Sequence, residues 1–266
     1  MSLVEASLLA RPSAGNAFSF GLEAVDRRFS GGGLAFGAHQ VVGGPGDRSG
    51  ANLLASLWLA RMFAIWPDRP ALWVQERDAL QENGVLYGPG LHALGVDPGR
   101  LALVTTRDGA EALRVVDRAA RSGAVLSVIG ELRGGARKLD LPASQRLNLR
   151  GQENSTLVIL LTPDLQAASA AKSRWQVRTA PSRAPRRWLG PPTLDLELVR
   201  NRHGSLGRWT LEWSSDDTVF RSGTTLCTPV VCLSGDRQAA PASWGEREEA
   251  LGGGADAEVR LSAHSR

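Results

Sequence analysis

The stretch His39-Gln40-Val41-Val42-Gly43-Gly44-Pro45-Gly46-Asp47-Arg48-Ser49-Gly50-Ala51-Asn52 decides the fold of this chain. A short apolar run enters a glycine-rich corner and leaves it into Ala51 to Trp66, a mainly apolar segment of helical length. The same alternation continues downstream. Strand-like Ala71 to Val74 and Leu101 to Thr105 precede a helix over Gly109 to Arg121 and a strand over Val125 to Gly130. A helical piece near Pro142 to Arg150 then leads to the wholly apolar Leu157 to Leu161. Continuous apolar strands separated by helices predict a parallel sheet covered on both faces. Ala112, Leu113, Val116 and Ala120 line one face of the Gly109 to Arg121 helix, as a helix lying on such a sheet requires.

From Trp175 the texture changes to period two. Trp175 and Val177 are followed by Leu194, Leu196 and Leu198, then by Trp209, Leu211 and Trp213, with a turn at His203-Gly204. This alternation predicts an antiparallel extension of the sheet. Between the strands, Ala180-Pro181-Ser182-Arg183-Ala184-Pro185-Arg186-Arg187 is a proline-broken basic loop. The expected organisation is an N-terminal helical docking segment over residues 1–17, a core domain over 18–220 and a flexible tail over 221–266.

The glycine corner invites comparison with the phosphate-binding pattern Gly-x-x-x-x-Gly-Lys-Ser/Thr. In that loop backbone amides converge on phosphate, the lysine neutralises it and the hydroxyl holds Mg²⁺. Here Ala51 replaces the lysine and Asn52 the hydroxyl residue. Pro45 stands five positions before Gly50, so the loop is one residue out of step. An unshielded triphosphate would also face Asp47, while Arg48 stands in only in part for the missing cation. The sequence therefore predicts no ATP hydrolysis and no bound cofactor, because the groups that stabilise transferring phosphoryl charge are gone. Weak nucleotide binding through the helix N-terminus stays open.

Charge is unevenly spread. The net charge is +4, yet the segment from Arg133 to Arg208 carries fourteen Lys and Arg against five acids. That polarity fits an anionic partner, DNA above all, and fits equally a solvated face. Cys227 and Cys232 are the two cysteines, with no histidine close by to complete a zinc site. The most apolar stretch, Ala51 to Trp66, is interrupted by Arg61 and is shorter than the roughly 20 residues needed to cross a bilayer. Met1 to Ala10 lacks the basic start of a signal peptide. A cytoplasmic protein is expected.

Several blocks carry a family resemblance. Phe18-Ser19-Phe20-Gly21-Leu22-Glu23-Ala24-Val25-Asp26 followed by Gly31-Gly32-Gly33-Leu34-Ala35-Phe36-Gly37 resembles the approach to the phosphate loop in RecA proteins. Leu72 to Leu80, Leu94-Gly95-Val96-Asp97, Glu111-Ala112-Leu113 and Ala119 to Val125 follow in the order of the RecA core. Trp73-Val74, Leu86-Tyr87-Gly88-Pro89-Gly90-Leu91 and Ser169-Ala170-Ala171-Lys172-Ser173-Arg174-Trp175 resemble the ImuA family in particular. The resemblance spans about Phe18 to Phe220. It implies a RecA-like α/β core, with a central, mostly parallel sheet flanked by helices and an antiparallel extension. It also implies a non-catalytic accessory role in DNA-damage-induced mutagenesis and translesion synthesis, with ImuB, a DnaE-type polymerase and RecA as expected partners.

Within this resemblance Glu76 falls at the catalytic glutamate and Glu131 at the magnesium-associated acid, so both read as vestigial acids; as plain residues they read as surface or paired carboxylates. Thr162-Pro163 stands where RecA proteins keep a polar sensor pair. The connections that would carry DNA-binding loops are short. DNA or partner contact is accordingly expected at Arg133, Arg137, Lys138, Arg183, Arg186 and Arg187, as salt-sensitive, sequence-independent backbone neutralisation. Trp188 is an open candidate for base stacking, whereas Trp175, at strand spacing, reads as core. Self-association through an exposed sheet edge or the N-terminal segment stays open. Rival readings are a DNA-dependent ATPase or recombinase of the RecA group and a SulA-type cell-division inhibitor.

Overall fold

The computed structural model describes residues 17–44, 47, 49–133, 139–163, 169–182 and 190–223. The expected docking segment, apart from Ala17, and the tail beyond residue 223 lie outside them, as do both cysteines.

A two-stranded ribbon, β1 (Ala17–Phe18) with β2 (Leu34–Ala35), brackets a short helix, α1 (Glu23–Asp26). The core then runs β3 (Gly37–Gly43), α2 (Ser49–Ile65), β4 (Ala71–Glu76), α3 (Arg77–Asn83) and α4 (Gly88–Ala93). Next come β5 (Leu101–Thr106), α5 (Gly109–Ser122), β6 (Ser127–Glu131), α6 (Leu141–Glu153) and β7 (Leu157–Leu161). The chain closes with β8 (Ser173–Thr179), β9 (Thr193–Asn201), β10 (Gly207–Ser214) and β11 (Val219–Ser222). These build one nine-stranded sheet in the order β5-β4-β6-β7-β3-β8-β9-β10-β11. The first six strands are parallel and the last three join antiparallel.

The expected RecA-like α/β architecture is therefore present, with one shift. The strand holding Trp175 runs parallel to β3 and antiparallel to β9, so the antiparallel extension starts one strand later than the change of texture suggests. β8 alternates because solvent reaches one of its faces, and that says nothing about its direction.

Each sheet face has its own core. In β7, Leu157, Ile159 and Leu161 pack against α2, while Val158 and Leu160 face Ala112, Val116 and Ala120 of α5 and Leu147 of α6. A strand buried on both faces must be apolar throughout, which is why this run lacks period two. α2 is largely buried and apolar around its circumference, because the sheet lies on one side and Phe18, Phe20 and Val25 on another. β9 to β11 extend the same cover with Leu194, Leu196, Leu198, Leu211, Trp213 and Phe220. Trp175 is fully buried and meets Phe20, Trp58 and Trp209 at ring-centroid distances of 5.6, 5.6 and 6.1 Å, so the core reading of this residue holds. Helix ends are set by chemistry legible in the sequence. Asp108 caps α5 through Ala110 N and Glu111 N at 2.8 and 2.9 Å, and Gly123 ends it in the left-handed region at φ 66°.

Candidate functional site

Parallel strands aim their carboxyl ends at one crevice, which is where open α/β sheets hold ligands. Gly44 follows β3, Glu76 ends β4, Glu131 ends β6, Thr162 follows β7 and Thr179 ends β8. The fold thus brings the loop and both acids to one edge, as their positions in the sequence imply. Pro45, Gly46 and Arg48 fall outside the described residues.

What fills this edge is the protein itself. Asp47 turns its carboxylate onto the start of α2: Oδ1 accepts from Gly50 N at 3.1 Å and from the Ser49 hydroxyl at 2.9 Å. Oδ2 accepts from Thr179 N and, at 2.7 Å, from Thr179 Oγ1. A carboxylate at a helix N-terminus satisfies free amides and offsets the positive end of the dipole, the service a bound phosphate would render. Burial pushes the Asp47 pKa up, but the hydrogen bonds from Thr179, Ser49 and Gly50 outweigh it and hold it below the ordinary aspartate value. Gly44 N donates to Val177 O at 2.7 Å, and the Arg178 side chain lies so close over Gly44 that a Cβ there would sit 2.5 Å from Arg178 Cγ. Strand β8 is in effect stitched across the loop.

The second closure is at Glu131. This carboxylate is 2% exposed and accepts four hydrogen bonds from neutral side chains. Asn52 Nδ2 and Asn83 Nδ2 donate to Oε1 at 3.0 and 2.5 Å; Trp73 Nε1 and Gln75 Nε2 donate to Oε2 at 3.2 and 2.9 Å. Asn52, at the first turn of α2, thus bonds straight to the acid that ends β6. Ala51, at the lysine position, is buried in the α2 core. Among the described residues the fit to a magnesium nucleotide is poor: the Gly50 amide and the Glu131 carboxylate already have partners, and residue 51 is an alanine.

Glu76 is equally buried, at 2% exposure, and its Oε2 accepts from Arg133 N at 2.8 Å. Both acids are thus buried and hydrogen-bonded at the ends of their strands, which sets them apart from surface carboxylates. Nearby, Gln40 Nε2 donates to Thr162 Oγ1 at 2.7 Å, placing a polar pair between β3 and the end of β7. Trp73, Gln75, Asn83 and Thr179 were not marked as site residues by sequence reasoning. The signal available for Gln75 was a polar residue closing an apolar strand beside an acid.

Of the basic set, Arg133 is the member within the described residues, and its guanidinium pairs with Glu82. Arg137, Lys138, Arg183, Arg186, Arg187 and Trp188 lie outside them. Elsewhere Arg150 pairs with Asp117, Arg208 Nη2 lies 2.6 Å from Glu197 Oε2, and Arg200 donates to Ser169 O. Arg133 and Arg150 are therefore paired with acids from outside the basic segment. Among the described residues no helix is long and apolar enough to cross a membrane.

Fold and site together define a RecA-like α/β protein whose phosphate-loop edge is occupied by its own side chains. No family model matches the chain. It is, however, 31% identical over 210 residues to Protein ImuA of Caulobacter vibrioides strain NA1000 / CB15N, and to the same degree to that of strain ATCC 19089 / CIP 103742 / CB 15. Each alignment covers 73% of this chain and 82% of the relative. The chain belongs to the ImuA family.

Proposed function

We propose that this chain is a non-catalytic RecA-like accessory protein of DNA-damage-induced mutagenesis and translesion synthesis. It serves as a scaffold that joins ImuB, a DnaE-type error-prone polymerase and RecA. Membership of the ImuA family supports the pathway. The observation that carries the non-catalytic half is the double closure: Asp47 on the start of α2 and Asn52 on Glu131. An ATPase needs donors waiting for the charge that develops in transfer, and donors already bonded within the fold are not waiting. Binding and hydrolysis would first require both closures to open.

The test pairs two assays on the purified full chain. Hydrolysis of magnesium ATP, with and without single-stranded DNA, is expected to stay at the no-protein background, and a fluorescent ATP analogue is expected not to saturate. Immobilised ImuB, RecA and labelled single-stranded DNA are then offered at two salt concentrations. Salt-resistant capture of ImuB supports the scaffold reading. Turnover stimulated by DNA would refute it and favour the recombinase alternative, and capture of a cell-division protein in place of ImuB would favour the SulA-type alternative.

A further inference from the structure

A concavity of about 350 Å³ opens at the other end of the parallel strands, where β3 and β8 begin and β9 ends. This is within the range of small-molecule sites. Its walls are pre-formed. The segment carrying Phe29, Gly31 and Gly33 is tied to the β9–β10 turn by Ser30 N to His203 O at 3.1 Å and Ser205 N to Arg28 O at 3.2 Å, with Asn201 Nδ2 donating to Arg28 O at 2.9 Å. Lys172 is fixed between strands through its backbone: its N–H donates to Ala38 O at 2.8 Å, and its carbonyl accepts from Arg202 N at 2.9 Å. The lysine stem lies on Gly37, where φ is 130° and a Cβ would meet Lys172 Cε at 3.1 Å and Asn148 Oδ1 at 2.6 Å. A glycine is required there, and its absent side chain is the seat of the lysine.

Lys172, which lines the pocket, has no acid beside it among the described residues. Among the described residues none of the lining side chains is a carboxylate, and no ion pair involves Lys172. Burial pushes the Lys172 ammonium below its ordinary value, with no neighbouring negative charge to offset it. The other basic group at this depth, His39, is already committed. His39 Nδ1 lies 2.7 Å from Ser173 Oγ, which also accepts from Trp175 Nε1 at 2.8 Å, and Nε2 lies 2.9 Å from Ala35 O. Burial lowers the His39 pKa to about 4 and so keeps the ring neutral, which leaves Lys172 as the cation of a lining that also holds His203 and an apolar wall formed by Phe29 and Ala35.

We propose that this pocket binds a small carboxylate, with the charged end on Lys172 and the apolar stem against Phe29 and Ala35. One lysine balances one negative charge. A phosphate dianion would leave charge uncompensated, and no arginine fork lines the pocket among the described residues. The carboxylate can come from a free organic acid or from a glutamate side chain of a partner protein.

The probes are butyrate, butyramide, inorganic phosphate and a blocked tripeptide with a central glutamate, each titrated into the full chain and followed by isotope-edited NMR and thermal unfolding. Butyrate or the peptide is expected to saturate, the amide to bind at least tenfold more weakly, and Lys172→Met to weaken the carboxylate probes at least tenfold. A tighter peptide assigns the source to a partner protein, and tighter butyrate assigns it to a free acid. Where Lys172→Met fails to fold, ¹³C-methylated lysines in the otherwise native chain give the same answer: the Lys172 titration midpoint must rise on saturation with the tighter probe. No saturable carboxylate binding, equal binding by Lys172→Met, an unmoved midpoint, or phosphate binding tighter than carboxylate each overturns the proposal.

Discussion

Glu131→Gln separates a structural carboxylate from a vestigial metal ligand. In the native fold the two carboxylate oxygens each take two hydrogen bonds, from Asn52 and Asn83 on one side and from Trp73 and Gln75 on the other. An amide of the same shape presents one oxygen and one NH₂ group. Whichever way it turns, two donors face another donor at the end of β6, where the side chain is 2% exposed. Leaving a buried donor unsatisfied costs roughly 1–3 kcal/mol, and flips of Asn52, Asn83 or Gln75 recover part of that. The expected loss is about 2–4 kcal/mol, which for a domain of this size lowers Tm by roughly 5–15 °C. Urea unfolding should show a lower midpoint at unchanged slope, the mark of a stability change without a change in exposed surface. A carboxylate kept for an ion behaves in the opposite way, since without the ion it is an unpaired buried charge whose removal stabilises. An unchanged or raised Tm in Glu131→Gln, or a Mg²⁺-induced rise in Tm seen in the native chain and lost in the variant, would refute the closed-site reading.

Three further outcomes follow from the same geometry. Asp47→Ala removes the cap of α2 and is expected to cost about 1 kcal/mol, read by thermal melting at neutral pH. Because the native Asp47 pKa is held below 3.8, its contribution is complete at neutral pH and fades only as pH falls through 3.8 and below; acid melts of Asp47→Asn should lack that component, and matching acid curves would contradict the assignment. Burial lowers the His39 pKa from 6.5 to about 4, so the unfolded chain takes up a proton in that window and the folded one does not. Stability should therefore fall by about 3 kcal/mol between pH 6.5 and pH 4, and a His39→Gln variant melted across the same range should lose this slope. Rebuilding the loop with Ala51→Lys and Asn52→Thr is expected to destabilise the chain by about 1–3 kcal/mol without producing ATP turnover, since a lysine at residue 51 enters the packed α2 core and Asp47 still holds the amides; phosphate release assays check the second half.

How far the fold is legible follows from the range of the interactions that set it. β7 lies where the apolar run Leu157 to Leu161 puts it, and α2 and α5 start and stop within two residues of their expected bounds, because burial on two faces and helix caps are local facts. The direction of β8 is not local. Trp175 and Val177 alternate with Arg174, Gln176 and Arg178 in the same way whether β3 runs parallel or antiparallel to them, and register is decided by contacts with β3 and β9, well over a hundred and about twenty residues away. The loss of the lysine and of the hydroxyl at residues 51 and 52 could be read directly, since each is one position in a fixed pattern.

What replaced them could not be read. Asp47 and Thr179 are 132 residues apart, and the four donors to Glu131 come from the start of α2, from β4 and from the end of α3. An isolated acid in a sequence defaults to the surface, since a buried carboxylate is costly until its partners are counted. Here four neutral donors hold the buried Glu131, and at the surface Ser49 and Gly50 of α2 and Thr179 of β8, through its N–H and its hydroxyl, hold Asp47; among the described residues these donors are all neutral. A site that had simply lost its catalytic residues would keep donors pointing at empty space, and these donors instead bind one another's neighbours across α2, α3, β4, β6 and β8. Asp47 and Glu131 thereby knit these elements together through neutral donors, while Ala51 packs into the core that α2 shares with the sheet, so the edge is closed by hydrogen bonding and packing together.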